Sequence, residues 1–188
     1  MAPGNFYSTM FGLGLGLFNN VREPIIKIKF SKDCSEYLFD PTDDKGHLCS
    51  TSWNKLWGTV RCGMFNSNHQ DSDRFVWRRA QSCLKFSGNN VIGEIEDCPE
   101  KDLIELAAYT YDNGTIPFSQ ENAGILLKIF QTKVKVETWY IYKLIITPFN
   151  TVYQLFGDDH QLLESTTIEH RECGTSYYIG ALQNLYFG

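Results

Sequence analysis

The densest chemistry in the sequence lies between His69 and Arg79, where His69, Asp71, Asp73, Arg74, Trp77 and Arg78 crowd into one short run. Successive side chains of an extended strand alternate faces, so His69, Asp71, Asp73, Phe75, Trp77 and Arg79 share one face. Gln70, Ser72, Arg74, Val76 and Arg78 share the other. A row of imidazole, carboxylates and indole suits a sugar: the indole stacks on the C–H face of the ring, and the polar groups hydrogen-bond its hydroxyls. Arg74 and Arg78 would grip a carboxylate with paired N–H donors, as an acidic polysaccharide requires. Tyr109, Tyr111 and Asp112 are expected to line the neighbouring strand of the same face. A plainer reading stands beside this one. Trp77 then belongs to the core, Tyr109 and Tyr111 are packed strand aromatics, and Asp71, Asp73, Arg74 and Arg78 form ion pairs of the exposed kind that contribute little.

Other chemistries find weaker support. A β-eliminating polysaccharide lyase needs a His or Tyr base and a charge-neutralising Arg or Gln, types that His69, Gln70, Arg74 and Tyr109 supply. A retaining glycosidase needs two close carboxylates, and no such catalytic pair is expected here. Glu94-Ile95-Glu96-Asp97 reads as a solvated turn. Asp40, Asp43 and Asp44 fall in one polar loop where calcium is conceivable, but their spacing is not that of an EF-hand. No HExxH motif or phosphate-cradling glycine loop is present, so no metal site and no cofactor are expected.

Composition narrows the class. The chain has 188 residues, 43% hydrophobic and 14% aromatic, which excludes a disordered or low-complexity segment. Twenty-two acidic against 17 basic residues give a net charge of −5, so there is no basic footprint for general nucleic-acid binding. No apolar run reaches the ~20 residues that a membrane helix needs. Six cysteines, Cys34, Cys49, Cys62, Cys83, Cys98 and Cys173, form no CxxC pair. In an oxidising compartment they read as up to three disulfides. The equal spacing of Cys34 to Cys49 and of Cys83 to Cys98 suggests two local bridges, leaving Cys62 with Cys173. Asn113-Gly114-Thr115 is an N-glycosylation sequon. Residues 1–18 are partly apolar, but no basic segment precedes them, so no signal peptide is read there.

Strand signals dominate the elements that must position these groups. Phe11 to Phe18 alternates glycine with leucine, and Ile25 to Phe30 alternates apolar residues with lysine. Arg74–Arg79, Leu103–Tyr111, Trp139–Thr147, Val152–Phe156, Leu162–Ile168 and Tyr177–Phe187 are further strands. Gly157-Asp158-Asp159 is a turn. Ser119–Thr132 is predicted as the one helix, capped by Ser119, with Ile125, Leu126, Ile129 and Phe130 on one face. Trp53 and Trp57 read as core or loop anchors, and Trp139 as core.

Three pieces in order resemble concanavalin A-like lectin/glucanase domains. They are His69-Gln70-Asp71-Ser72-Asp73-Arg74-Phe75-Val76-Trp77-Arg78, Ala107-Ala108-Tyr109-Thr110-Tyr111-Asp112-Asn113-Gly114 and Leu185-Tyr186-Phe187-Gly188, within roughly residues 50–188. The resemblance implies a jelly-roll sandwich, a fold that mostly binds or cleaves carbohydrate. The expectation is therefore an all-β protein, a two-sheet antiparallel sandwich with one short helix. Residues 1–20 form an N-terminal strand or arm and residues 21–188 a single domain. Its expected role is secreted and non-catalytic, binding a glycan or polysaccharide through His69, Asp71, Asp73, Arg74, Trp77, Arg78, Tyr109 and Tyr111. The alternatives are a structural subunit that self-associates through its Gly/Leu strand, and the lyase.

Overall fold

The computed structural model describes residues 23–38, 50–62, 70–115, 124–172 and, for the backbone alone, 183–185. In chain order its elements are β1 (Ile25–Lys29), a one-turn helix α1 (Asp33–Glu36), β2 (Asn54–Val60), β3 (Ser72–Arg79), β4 (Leu84–Ser87), β5 (Asn90–Glu94), β6 (Leu103–Tyr111), β7 (Leu127–Ile129), β8 (Val134–Lys135), β9 (Trp139–Ile146), β10 (Asn150–Gly157), β11 (Leu162–Glu169) and β12 (Gln183–Leu185). One sheet runs β1-β9-β10-β11. The second runs β12-β2-β3-β6-β7, with β8 also on β6, and β4-β5 form a separate hairpin. The pairings within all three sheets are antiparallel.

The two larger sheets pack face to face because each presents an apolar row at period two. Ile28, Tyr142, Leu144, Tyr153, Leu155 and Ile168 of the first meet Leu56, Phe75, Trp77, Ile104 and Leu106 of the second in one core. Phe75 sits at its centre. Its ring lies edge-on to Tyr142 at 5.2 Å and to Tyr153 at 5.3 Å, both from the opposite sheet. A register shift between Lys55 and Trp57 lets consecutive residues Leu56 and Trp57 both enter the core, as a bulge allows. The expected all-β sandwich with one short helix is the fold observed.

The helix is not where the sequence places it. Within Ser119–Thr132, residues 119–123 lie outside the described residues, Gly124–Leu126 is a turn and Leu127–Ile129 is β7. Leu126 and Phe130 join the core between the sheets, while Leu127 joins a second cluster with Val76, Ala107, Tyr109 and Tyr111. A helix buries one stripe, whereas this segment buries residues on both sides of a sheet, which extended chain does. The β6 backbone completes the choice: Thr110 N–H donates to Leu126 O, and Phe130 N–H to Leu106 O, each at 2.9 Å.

The cysteine expectation is met in part. Cys83 and Cys98 are bonded, closing the loop that carries the β4-β5 hairpin. Cys34 is a free thiol, so the expected Cys34–Cys49 bridge does not form. Cys34 lies beside α1, where Ser31 Oγ approaches its sulfur at 3.6 Å. Cys62 is in a disulfide whose partner lies outside the described residues, as Cys49 and Cys173 both do. The Gly/Leu strand at 11–18 and the loop bearing Asp40, Asp43 and Asp44 are also outside them, as is Tyr177–Phe187 apart from the backbone of β12.

Candidate functional site

β3 positions most of the expected site, and it lies in the middle of its sheet between β2 and β6. The alternation holds: Phe75 and Trp77 point into the core, and Val76 points to the outward cluster. A central strand covered on both faces offers no open row, and Asp71, Asp73, Arg74, Trp77, Tyr109 and Tyr111 are all buried. The picture of Asp71, Asp73 and Trp77 as an exposed sugar platform is therefore corrected. Trp77 packs against Phe30 at 5.2 Å and Tyr37 at 5.8 Å. Tyr109 pairs in register with Arg74, and Tyr111 with Ser72. The tyrosines thus share the face of Arg74, not that of Asp73 and Trp77 as expected. Arg78 stacks over Trp53 at 4.2 Å and donates to Glu105 at 2.8 Å. His69 lies outside the described residues.

The buried polar groups form a network that ties the sheets together. Arg61 Nε meets Asp73 Oδ2 at 2.7 Å, with the two side chains 1% and 0% exposed. Thr110 Oγ1 donates to Asp73 Oδ1 at 2.9 Å, and Tyr153 OH, from the opposite sheet, reaches the same oxygen at 3.3 Å. Arg61 Nη2 donates to Tyr111 O at 2.7 Å. Asp71 accepts from Asn113 N–H and Arg171 Nη2, each at 2.9 Å. Burial, followed by the nearby Asp73 charge, holds the Tyr153 hydroxyl well above its usual range. Burial and the Tyr111 hydroxyl do the same for Tyr109. In the structure Tyr109 packs in the outward cluster with Val76, Ala107, Tyr111 and Leu127, and its hydroxyl donates to Tyr111 OH at 3.2 Å. Lys55, near Arg74, is pushed down to about 8 by burial and then by the Arg74 charge.

His170 closes this network and makes it sensitive to acid. Its Nε2 lies 3.2 Å from Thr151 Oγ1 and its Nδ1 3.0 Å from Arg171 O. Asp73, Arg61 and Asp112 are the charged groups acting on it. Burial outweighs the carboxylates and lowers its proton affinity below the ordinary 6.5. The unfolded chain then takes up this proton first as pH falls. Stability from His170 is full above about pH 6.5 and declines as pH drops toward the folded value. Urea midpoints are expected to fall between pH 7.5 and 5.5, with a shallower fall in His170→Gln. A midpoint that rises on acidification would contradict the burial argument.

The first sheet carries an open aromatic surface. In β9, Tyr142, Leu144 and Ile146 point inward, which turns Trp139, Ile141 and Lys143 to the outer face, where Ile141 is covered and Trp139 is exposed. Trp139 is 44% exposed rather than core as expected. Register sets Lys29 opposite Trp139 and Lys27 opposite Ile141. The ammonium groups of Lys27 and Lys29 each lie 5.6 Å from the indole centroid. Each lysine also meets a carboxylate, Lys27 with Asp158 and Lys29 with Glu137. The period-two signal that could have found this surface is in Trp139-Tyr140-Ile141-Tyr142-Lys143, where the indole shares a face with a lysine.

Asn113 of the sequon is exposed, in the turn between Asp112 and Thr115. Among the described residues no group of three or more His, Cys, Asp or Glu side chains is placed to hold a metal ion, and no helix is long and apolar enough to cross a membrane. Compared with known proteins, the chain matches no family model, no curated protein and no solved structure.

Proposed function

We propose that the chain is an extracellular, non-catalytic carbohydrate-binding β-sandwich domain whose ligand lies on the outer face of the first sheet at Trp139. The observation that carries this reading is the half-exposed indole set on an open sheet face with hydrogen-bonding side chains on its flanks. The C–H face of a pyranose stacks on the indole, and the hydroxyls bond Lys27, Lys29 and their partner carboxylates. The disulfide Cys83–Cys98 and the bonded state of Cys62 support an oxidising compartment.

Trp139→Ala is expected to abolish glycan-array binding while leaving the unfolding free energy, from urea denaturation, within about 0.5 kcal/mol of the parent, as for a surface change. Loss of binding with an unchanged midpoint supports the site. A folded parent that binds no glycan overturns the reading, and binding that survives in Trp139→Ala moves the site elsewhere.

A further inference from the structure

Asn113-Gly114-Thr115 is the chain's one Asn-X-Ser/Thr tripeptide, and it turns the chain just beyond the end of β6. Asp112 and Thr115 pair across the turn, and Thr115 N–H donates to Asp112 O at 2.9 Å. Asn113 and Gly114 between them take φ values of 52° and 75°. Those left-handed values are what a two-residue turn of this hand needs, and Asn-Gly adopts them readily. The rest of the turn is held through its backbone: Asn113 N–H donates to Asp71 Oδ1 at 2.9 Å, and Gly114 N–H to Gln70 O at 2.8 Å. The side chains take no part in this. Asn113, Gly114 and Thr115 are exposed, and neither the Asn113 amide nor the Thr115 hydroxyl bonds any described residue. The turn thus accounts for Asn-Gly and places no demand on a hydroxyl at 115.

The turn stands at the end of the sandwich away from Trp139. Arg171, just past β11, donates from its N–H to Asp112 Oδ2 at 3.2 Å and from Nη2 to Asp71 Oδ2 at 2.9 Å. These bonds hold the turn beside the Glu169 end of β11, where Glu169 pairs with Asn150 and Thr151 with Ile146. Trp139 begins β9 at the opposite end, where Tyr140 pairs with Gly157. The eight residues of β9, at ~3.3 Å each, separate the two ends by about 25 Å. A Cβ built on Gly114 would meet nothing within 4 Å, so the space beside Asn113 is open. A bulky polar group on Asn113 therefore extends into solvent, clear of the indole.

We infer that Asn113 is a site of N-glycosylation. The donor is an oligosaccharide carried on a lipid pyrophosphate. Asn113 Nδ2 forms a bond to C1 of the sugar as the C1–O bond to the pyrophosphate breaks. The amide gives up one proton, the lipid pyrophosphate leaves, and no atom changes oxidation state. The Thr115 hydroxyl, two residues on, is the group by which a transferase recognises its acceptor asparagine. Because the amide bonds no described residue, carrying a sugar breaks none of the contacts that hold the turn. The Cys83–Cys98 disulfide supports passage through an oxidising compartment, where such donors are used. The inference shares that compartment with the carbohydrate-binding reading and is otherwise independent of it.

The test sends the full chain through the secretory pathway of insect cells behind a cleavable leader, beside Asn113→Gln, Thr115→Ala and Thr115→Ser. Intact mass and peptide mass spectrometry are read on both medium and cell lysate, so a chain retained in the cell is scored as well. A co-expressed secreted glycoprotein reports that the host machinery is active. Most parent and Thr115→Ser chains are expected to carry an added mass that peptide N-glycosidase removes. Release in ¹⁸O-water should leave the heavy oxygen on residue 113. Asn113→Gln and Thr115→Ala should carry no such mass. Thr115→Ala keeps Asn-Gly and the turn's backbone bonds, so its loss of sugar reports the missing hydroxyl. A parent chain without the removable mass in either fraction, or sugar that persists in Thr115→Ala, would overturn the inference. Neither result bears on glycan-array binding at Trp139, which is read on the same proteins.

Discussion

Replacing Asp73 with alanine is expected to cost about 3–5 kcal/mol of folding stability, the range found when one member of a buried ion pair is removed. The cost follows from what is left behind. Arg61 is 1% exposed and loses the carboxylate at 2.7 Å, so its buried charge is left with weaker compensation, Asp112 lying farther off at 3.9 Å. Thr110 and Tyr153 lose a shared acceptor in the same step, although the Tyr153 hydroxyl keeps Thr110 Oγ1 and Tyr109 O across the sheets. A domain is held by roughly 5–15 kcal/mol in all, so this single change removes much of it. Changing both partners to apolar residues, Arg61→Leu with Asp73→Leu, should cost less than Asp73→Ala alone, because neither half of the pair is left behind in the interior. Urea denaturation of the three proteins decides the matter. A loss below about 1 kcal/mol for Asp73→Ala would show that the pair is as weak as an exposed one.

The same pair shows where reading the sequence succeeds and where it stops. Alternation along Ser72–Arg79 correctly separated Asp73, Phe75 and Trp77 from Arg74, Val76 and Arg78, because side-chain direction in a strand is local geometry. Which face is covered is not local. It depends on β2 and β6 flanking β3, and on a second sheet arriving from residues 139–169. A carboxylate that looks like a ligand for sugar in the sequence is thereby turned into the partner of Arg61. Trp139 failed in the opposite sense: an indole in an apolar strand suggests core, yet the inward positions were already taken by Tyr142, Leu144 and Ile146. The helix at 119–132 failed because Leu126 and Phe130 at i and i+4 fit a helix face as well as they fit a turn and edge strand on β6, and only the partner strand separates the two. Cys34 was misassigned because equal spacing constrains loop length and says nothing about whether two Cβ atoms can approach.

The buried network joins the sheets, and the proposed site lies on an outer face, so substitutions at Asp73 and at Trp139 should separate cleanly. The first is expected to lower stability, and the second to reduce the proposed glycan binding at constant stability.

Gly58→Ala is the second change expected to have a large effect, and its cause is steric. Gly58 lies opposite Arg74 where β2 crosses β3. A Cβ at this position would stand 2.0 Å from the Asp73 carbonyl oxygen, 2.6 Å from Arg74 Cγ and 2.7 Å from Arg74 Cα. Two of those atoms are backbone of a strand fixed on both sides, so relief requires β2 to move away from β3. Overpacking a tight interior typically costs about 1–3 kcal/mol, and the absence of a yielding side chain puts this case near or above 3 kcal/mol. The movement would also pull on Asp73, whose carbonyl is the nearest obstacle and whose carboxylate holds Arg61. The two substitutions therefore act on one structural unit, and Gly58→Ala with Asp73→Ala should cost less than the sum of the singles, since neighbouring sites couple. Urea midpoints for the cycle, with near-ultraviolet circular dichroism to follow the packing of Trp57 against Phe75 at 6.4 Å, provide the measurement. A Gly58→Ala protein within about 0.5 kcal/mol of the parent, the range of a neutral surface change, would mean that β2 shifts freely and that the β2-β3 contact does not hold the Arg61–Asp73 pair in place.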